Sequence, residues 1–426
     1  MSSQDSEERD YFTDQSVLLD PYDYFDEMLA RGPVHQLSHH DVLIVTGYRE
    51  VIEVLRNNKD FSSVISLPGA AVPLPFEPEG DDISAQLEAH RDQIFGSNLL
   101  TAYDGERHFA LRYVASRLFT PTRLKENEAF MLAYAEQLAR EAAARGKCEL
   151  VNEISTPFVT LVIADLLGLA AEDRDKFSAL IGSGSAVGNI AEDDQPSKFE
   201  AMMNIAAFMQ EYIEDRRSNP RGDVMSDLAK AKYPDGTEVP IEELVTLSAF
   251  LFAAGQDTSA KLISNAMRHI VETPGLQQKL RENRELIPAL IEEVLRLEGS
   301  TKATFRVAVR KTRIGDMEVP AGKRIFVALG AANRDPRRWE KPGEFQFDRP
   351  RIIEHLSFGR GAHTCLGAPL ARAEVRIMLD QFLEHTRDID ISRAVHGEPG
   401  NRNLEYEPSF IIRGLENLHL ELTARG

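Results

Sequence analysis

The stretch Phe358-Gly359-Arg360-Gly361-Ala362-His363-Thr364-Cys365-Leu366-Gly367-Ala368-Pro369 narrows what this chain can become more than any other. Glycines at 359, 361 and 367 let the backbone on both sides of Cys365 take tight, close-approach conformations. A helical apolar pattern starts just past the cysteine. The sulfur is therefore expected near a helix N-terminus, where free N–H groups and the helix dipole lower a thiol pKa. A thiolate so placed suits a soft metal ligand, with Phe358 positioned to shield it from water. A cysteine standing alone would read as a buried free thiol on a glycine turn; the full pattern argues against that.

Only one other cysteine occurs, Cys148, so neither a disulfide framework nor the four thiolates of a zinc or iron–sulfur site is available. A formal net charge of −19 gives poor steering toward phosphate backbones or anionic lipid, so no nucleic-acid partner is expected. With 42% hydrophobic and 27% charged residues the chain has globular composition. Its 426 residues exceed one ordinary domain, but no Gly/Ser- or Pro-rich linker divides them. Residues 1–426 are read as a single domain, with 1–20 a flexible N-terminal segment. The opening MSSQDSEERDYF is polar and unlike a signal peptide. The longest strongly apolar run, residues 247–254, falls short of the roughly 20 residues a bilayer span needs. No membrane span and a cytoplasmic location are expected.

Residues 21–32 read as a helix with Pro21 near its start, 35–45 as a short hairpin, and 46–58 as a helix capped at Thr46. Residues 67–80 are a Pro- and Gly-rich loop whose Leu74 and Phe76 either pack on neighbours or touch a ligand. Helical patterns dominate 106–295, with breaks at 120–121, 155–157 and 219–222 and a flexible loop over 182–195. Beyond the hairpin, strand-like runs appear only after residue 302, and a further helix covers about 368–385. The fold class is mainly α with a small β-rich region.

The cysteine stretch matches F-G-x-G-x-H-x-C-x-G in full and resembles the haem-binding signature of the cytochrome P-450 family, in its soluble bacterial branch. The resemblance implies the P-450 fold and haem b, with Cys365 as the axial ligand whose electron density favours O–O cleavage. It further implies Phe358 and Gly359 against the haem and His363 at a propionate. His355 has no such warrant and is read as structural. In 241–262, Leu244, Leu247, Leu251, Gly255 and Thr258 share one helical face, and residues 253–255 are small. Thr258 can bond to a carbonyl one turn earlier or leave it free, letting the helix widen. An acid beside an alcohol offers protons a route into a dry site. Taken alone, this is a kinked core helix. It is similar to the family's central helix, which implies Asp257 in the proton relay, Thr258 stabilising bound dioxygen, and Ala254 beside the haem.

His108 and Arg112, four apart on a helix, resemble the family's H-x-x-x-R propionate contact, with Gly105 and Glu106 where prolines are usual. Arg306 matches another propionate arginine. Any one of these alone reads as a solvated cation. The stripe Ile287, Leu290, Ile291, Val294, Leu297 turns Glu293 and Arg296 toward solvent. The resemblance implies instead the family's buried E-x-x-R pair, completed by Arg349.

The activity implied by the resemblance is that of a monooxygenase inserting one oxygen atom of O2 into a terpenoid, alkyl-aromatic or steroid-like substrate. Its pocket would draw on Phe250, Ala253, Thr304, Ile411 and Ile412, with Leu74, Phe76 or Phe95 from the loop region. Electrons would come from NAD(P)H through a separate ferredoxin and ferredoxin reductase, docking on a basic face near Arg117, Arg360 and Leu366, and the protein would be a monomer. Two alternatives stand beside it. One is a peroxide-driven haem-thiolate peroxygenase, against which Asp257-Thr258 argues. The other is a non-enzymatic haem or gas sensor, for which no signalling segment is visible.

Overall fold

The computed structural model describes residues 9–169, 173, 195–221 and 223–425. The loop expected over 182–195 lies outside them except for Gln195, which opens a helix.

The central helix, Ile241–Glu272, organises the helical part. Its burial is not confined to one stripe: Leu244, Phe252, Ile263 and Ile270 are fully buried, and so are Ser248, Ser264 and Asn265. A helix enclosed on most sides must satisfy its polar groups internally. The Ser248 hydroxyl donates to the Leu244 carbonyl (2.7 Å) and the Ser264 hydroxyl to that of Lys261 (2.9 Å). Around it pack the helices Thr156–Leu166, Gln195–Ser218, Ile287–Glu298 and Ala368–His385. Pro157, Pro288 and Pro369 sit in the first turns of three of these, where no N–H donor is needed. Two of the breaks expected in the helical region fall at helix starts, Pro121 and Thr156, and the third follows the helix that ends at Ser218.

The strands are β1 (Val34–Gln36), β2 (Val42–Val45), β3 (Phe61–Ser62), β4 (Lys147–Glu149), β5 (Thr304–Ala308), β6 (Thr312–Ile314), β7 (Met317–Val319), β8 (Arg324–Val327), β9 (Thr386–Ile391) and β10 (His419–Ala424). Five form one sheet in the order β1-β2-β8-β5-β3, in which only β2 and β8 run parallel. The expected hairpin is β1–β2, with Val34 opposite Val45. β4-β10-β9 make a second sheet and β6–β7 a separate hairpin. β3 and β4 are not legible in the sequence, because runs of two and three residues carry no readable alternation. Thr46 is not the cap of the next helix. Gly47 occupies that position, and the Thr46 hydroxyl donates to the Gly32 carbonyl.

The N-terminal segment departs from expectation: from residue 9 onward it is folded against the β-rich region. Asp14 caps the helix Gln15–Leu19 by accepting from the Ser16 N–H. Tyr11 is 1% exposed, its ring 4.3 Å from that of Phe326 and its hydroxyl donating to the Phe410 carbonyl at 2.9 Å. Aromatic burial here overrides a polar local composition. Tyr11→Phe should cost about 1 kcal/mol and lower Tm by roughly 2–4 °C; an unchanged melting curve would show that the bond contributes nothing. Among the described residues no helix is long and apolar enough to cross a membrane.

Candidate active site

A cavity of about 360 Å³ lies between the central helix, the Cys365 segment, the helix Gly105–Ser116, β5 and the turn around Ile411. Its floor is the cysteine segment. Gly359 and Gly361 have φ of 66° and 79°, the left-handed region. A Cβ on Gly361 would collide with the Leu55 carbonyl oxygen, so only glycine lets the loop close onto the Tyr48–Arg56 helix. The Cys365 N–H donates to the Phe358 carbonyl (2.9 Å), and the sulfur faces the cavity with the N–H groups of Gly367 and Ala368 directed at it. The expected lowering of the thiol pKa is not found. Although its side chain is open to the cavity, desolvation inside the protein pushes it up, and outweighs those two donors and the nearby Arg112 and Arg372. Phe358 lines the cavity with the Arg372 guanidinium 4.6 Å from its ring centre.

The opposite wall is the central helix, through Ala254, Gly255 and Thr258. A side chain at Gly255 would meet Ile163 at 2.9 Å. The Thr258 hydroxyl donates to the Ala254 carbonyl at 3.0 Å, and the helix stays α-helical through this turn rather than widening. Asp257, at the cavity edge, pairs with Lys261 at 3.0 Å. The Lys261 partner of Asp257 is not anticipated from the sequence, although a cation four residues after the acid is a readable helical pairing.

One end of the cavity is cationic. His108, Arg112, Arg306 and His363 all line it. The His108 ring lies 4.1 Å from that of His363, and burial with the neighbouring His363 and Arg112 pushes its pKa down to about 4. His363 is held by Asp104 (3.1 Å), which also accepts from Ser62 and from the Ser63 N–H. Arg112 donates to the Thr364 carbonyl at 2.6 Å. Arg306 is 4% exposed and donates only to the Thr304 hydroxyl and the Phe305 carbonyl; burial lowers its pKa to about 10. Among the described residues no carboxylate forms an ion pair with Arg112 or Arg306. Alternation along β5 puts Thr304 and Arg306 on the same face, and both reach the cavity.

Phe250, Ala253, Thr304, Ile411 and Ile412 line the remaining wall. Leu74, Phe76 and Phe95 do not line it. Phe76 stacks on His90 (4.9 Å), Leu74 packs with it against the β-region core, and Phe95 is 57% exposed. Glu293 and Arg296 are fully enclosed rather than solvent-facing. Arg296 donates to both Glu293 oxygens (2.9 and 2.8 Å), and Arg349 Nε to the same carboxylate (3.1 and 3.2 Å). His355 is structural, pairing with Glu292 at 3.0 Å.

The sequence profile of the family Cytochrome P-450 matches residues 191–387. The cytochrome P-450 monooxygenase PikC of Streptomyces venezuelae is 30% identical over 413 residues, covering 95% of this chain and 91% of PikC. A Mycobacterium marinum cytochrome P-450 solved in its substrate-free form is 43% identical with a TM-score of 0.92, covering 99% of this chain and 100% of that one. The chain belongs to the cytochrome P-450 family. It therefore has the P-450 fold and is an oxygen-incorporating oxidoreductase with a haem cofactor. A further structural relative, a Bacillus megaterium protein in complex with corticosterone, is 28% identical with a TM-score of 0.78, covering 95% of this chain and 99% of that one. The cavity suits a P-450 haem. A thiol faces small residues across it, and a buried guanidinium without a carboxylate waits at the end where an acidic ligand edge would be held.

Proposed function

We propose that Cys365 would hold the iron of haem b through its thiolate, that His108, Arg112, Arg306 and His363 would hold its propionates, and that the chain hydroxylates or otherwise monooxygenates an apolar small molecule. The observation that carries this reading is Arg306, a buried cation without a carboxylate in the same cavity as the Cys365 sulfur and the Thr258 hydroxyl. When bound, haem supplies the iron at which dioxygen is reduced and split.

The chain's own residues do the rest. Arg306 and Arg112 offset the charge of two carboxylates in a place where either charge alone would be costly. The N–H groups of Gly367 and Ala368 would stabilise negative charge on the Cys365 sulfur with the cofactor in place. Phe358 and Gly359 cover the sulfur side, and Ala254 with Gly255 leaves room on the other. Thr258 holds a proton at Oγ1 on the cavity wall, and Asp257 is the carboxylate that resupplies it. Phe250, Ala253, Ile411 and Ile412 exclude water and orient an apolar substrate, with the Thr304 hydroxyl as one polar contact. A terpenoid, an alkyl-aromatic or a steroid-like molecule fits such a wall; the relative solved with corticosterone supports the last. Glu293, Arg296 and Arg349 hold the sulfur-side scaffold.

Electrons come from NAD(P)H through a separate ferredoxin and its reductase. They dock near Arg117, Arg360 and Leu366, and the chain works as a single-domain monomer in the cytoplasm. Arg117→Glu, at an exposed position, should slow ferredoxin-driven reduction by about tenfold at low salt; an unchanged rate would move the docking site elsewhere.

The test of the whole reading is the reduced, carbon monoxide-bound spectrum with haem supplied, where a strongly red-shifted Soret band is expected. Full turnover on peroxide with no reductase would replace it with the peroxygenase reading. Arg306→Met separates cofactor holding from folding. Haem affinity should fall about 10- to 100-fold, the loss of one charge-assisted bond. The haem-free chain should melt at the same temperature or higher, because it loses a buried unpaired cation. Equal losses in both forms would assign Arg306 to the scaffold.

A further inference from the structure

We infer that Arg372 is a positioning residue for electron uptake: its guanidinium, clamped by Glu292 onto the Phe358 ring, tunes the reduction potential of the haem-loaded protein. The inference rests on the reading of Cys365 given above, and deepens it.

Arg372 stands one turn beyond Ala368 on the helix Ala368–His385, and the Ala368 N–H is one of the two directed at the Cys365 sulfur. Side chains on a helix lean toward its N-terminus, so Arg372 leans back toward the sulfur. Its guanidinium meets the Phe358 ring 4.6 Å from the centre, and the Phe358 carbonyl accepts from the Cys365 N–H. Glu292, on the helix Ile287–Glu298, fixes that position. Arg372 Nε donates to Glu292 Oε1 at 2.6 Å and Nη2 to Oε2 at 2.9 Å, two parallel bonds that set the guanidinium plane. Glu292 Oε2 also faces His355 Nε2 at 3.0 Å. His355 Nδ1 accepts from the Ser357 N–H at 3.2 Å, so Nε2 keeps the ring's proton and donates to the carboxylate.

Burial pushes the His355 pKa down, and the imidazole is neutral. Burial pushes the Glu292 carboxyl up, but Arg372 and His355 together hold it down at about 2. The cluster is therefore one anion and one cation, and the cation is the member that meets the Phe358 ring. The neighbouring Glu293 serves Arg296 and Arg349 instead, so two adjacent acids have separate work. The step concerned is the uptake of one electron from the ferredoxin proposed above, ferric to ferrous, with no bond made or broken and no proton moved. The charge it adds is eased by a cation beside the sulfur and opposed by an anion. Arg372 thus favours the reduced form, and Glu292 tempers it. The Arg372 side chain is 30% exposed, so water screens part of its field and the effect is moderate.

Redox titration of the haem-loaded protein with dithionite and mediators, without ferredoxin, reads this directly. Arg372→Met should lower the one-electron equilibrium constant for reduction about fivefold, roughly 40 mV at 59 mV per tenfold. Arg372→Lys keeps the charge and should restore at least half of that loss. Glu292→Gln should raise the constant about threefold, roughly 30 mV, because the replacing amide still accepts from the guanidinium but no longer opposes its charge. Two variants that break the same ion pair thus move the potential in opposite directions. A purely structural pair would lower the melting temperature in both and give no such change of sign. An unmoved or raised potential in Arg372→Met overturns the inference. So does a fall in Glu292→Gln, or a loss in Arg372→Lys as large as in Arg372→Met. Should Arg372→Met not fold, the sign of the Glu292→Gln shift decides alone. The carbon monoxide-bound spectrum separates the two readings. A parent protein without a red-shifted Soret band sinks the assignment of Cys365 and this inference with it, whereas a normal band with unmoved potentials sinks the inference alone.

Discussion

Cys365→Ala is expected to abolish monooxygenase turnover and the thiolate-type carbon monoxide spectrum while leaving the haem-free fold intact. Among the described residues the sulfur is the one soft donor facing the cavity; the other cysteine, Cys148, is buried in the helical core, where burial pushes its thiol up to about 12. Among the described residues no cluster of three or more His, Cys, Asp and Glu side chains offers the metal another seat. Loss of the thiolate donor should therefore lower turnover more than about 1,000-fold, at least 4 kcal/mol of barrier. The cost to the empty chain should be within about 1 kcal/mol, because the side chain opens on a cavity and fills no packed volume. Haem-supplied protein is reduced under carbon monoxide and its spectrum recorded beside a melting curve of the haem-free form. A red-shifted Soret band surviving in the alanine variant would end the assignment.

Glu293→Ala should have the largest effect on folding. Its carboxylate accepts from Arg296, Arg349 and the Gln346 N–H, all within 3.2 Å. The two guanidiniums also tie down the Asn333, Pro342 and Glu344 carbonyls, gathering the chain around 333–349 behind the cysteine loop. Removing the anion leaves two buried cations without a counter-charge, a loss of about 3–5 kcal/mol. Total stabilities are about 5–15 kcal/mol, so the loss removes a large share of the whole, and the variant should melt far below the parent or fail to retain haem. Glu293→Gln keeps acceptor geometry but not charge and should fall between. Urea midpoints of the three proteins check this, and a loss under about 1 kcal/mol for alanine would show that the network is dispensable.

The sequence is most readable where a residue type is forced by local geometry. The glycines around Cys365 are of this kind, since a Cβ at 361 has no space. So is the helix Ala368–His385, whose bounds match the apolar periodicity. It is least readable where a side chain's surroundings come from distant chain. Periodicity sends Glu293 outward because Arg349 is 56 positions away. A Pro-rich loop has no period to aim Phe76 toward or away from the substrate; packing on His90 turns it away. The helix terminus that would lower the Cys365 pKa is visible in the sequence, and the burial opposing it is not. Helical spacing suffices to pair Lys261 with Asp257, but Glu407 lies 146 residues further along.

β5 carries a last consequence. Thr304 and Arg306 project from one ribbon that pairs along residues 304–307 with β8 and, at its far end, through Val307 and Ala308 with β3. Reshaping the wall at 304 enough to shift the backbone would drag the guanidinium anchor with it, so efforts to retarget this enzyme should find that strand unforgiving. The turn carrying Ile411 and Ile412 bears no such anchor, and directed evolution should gather its first beneficial changes there.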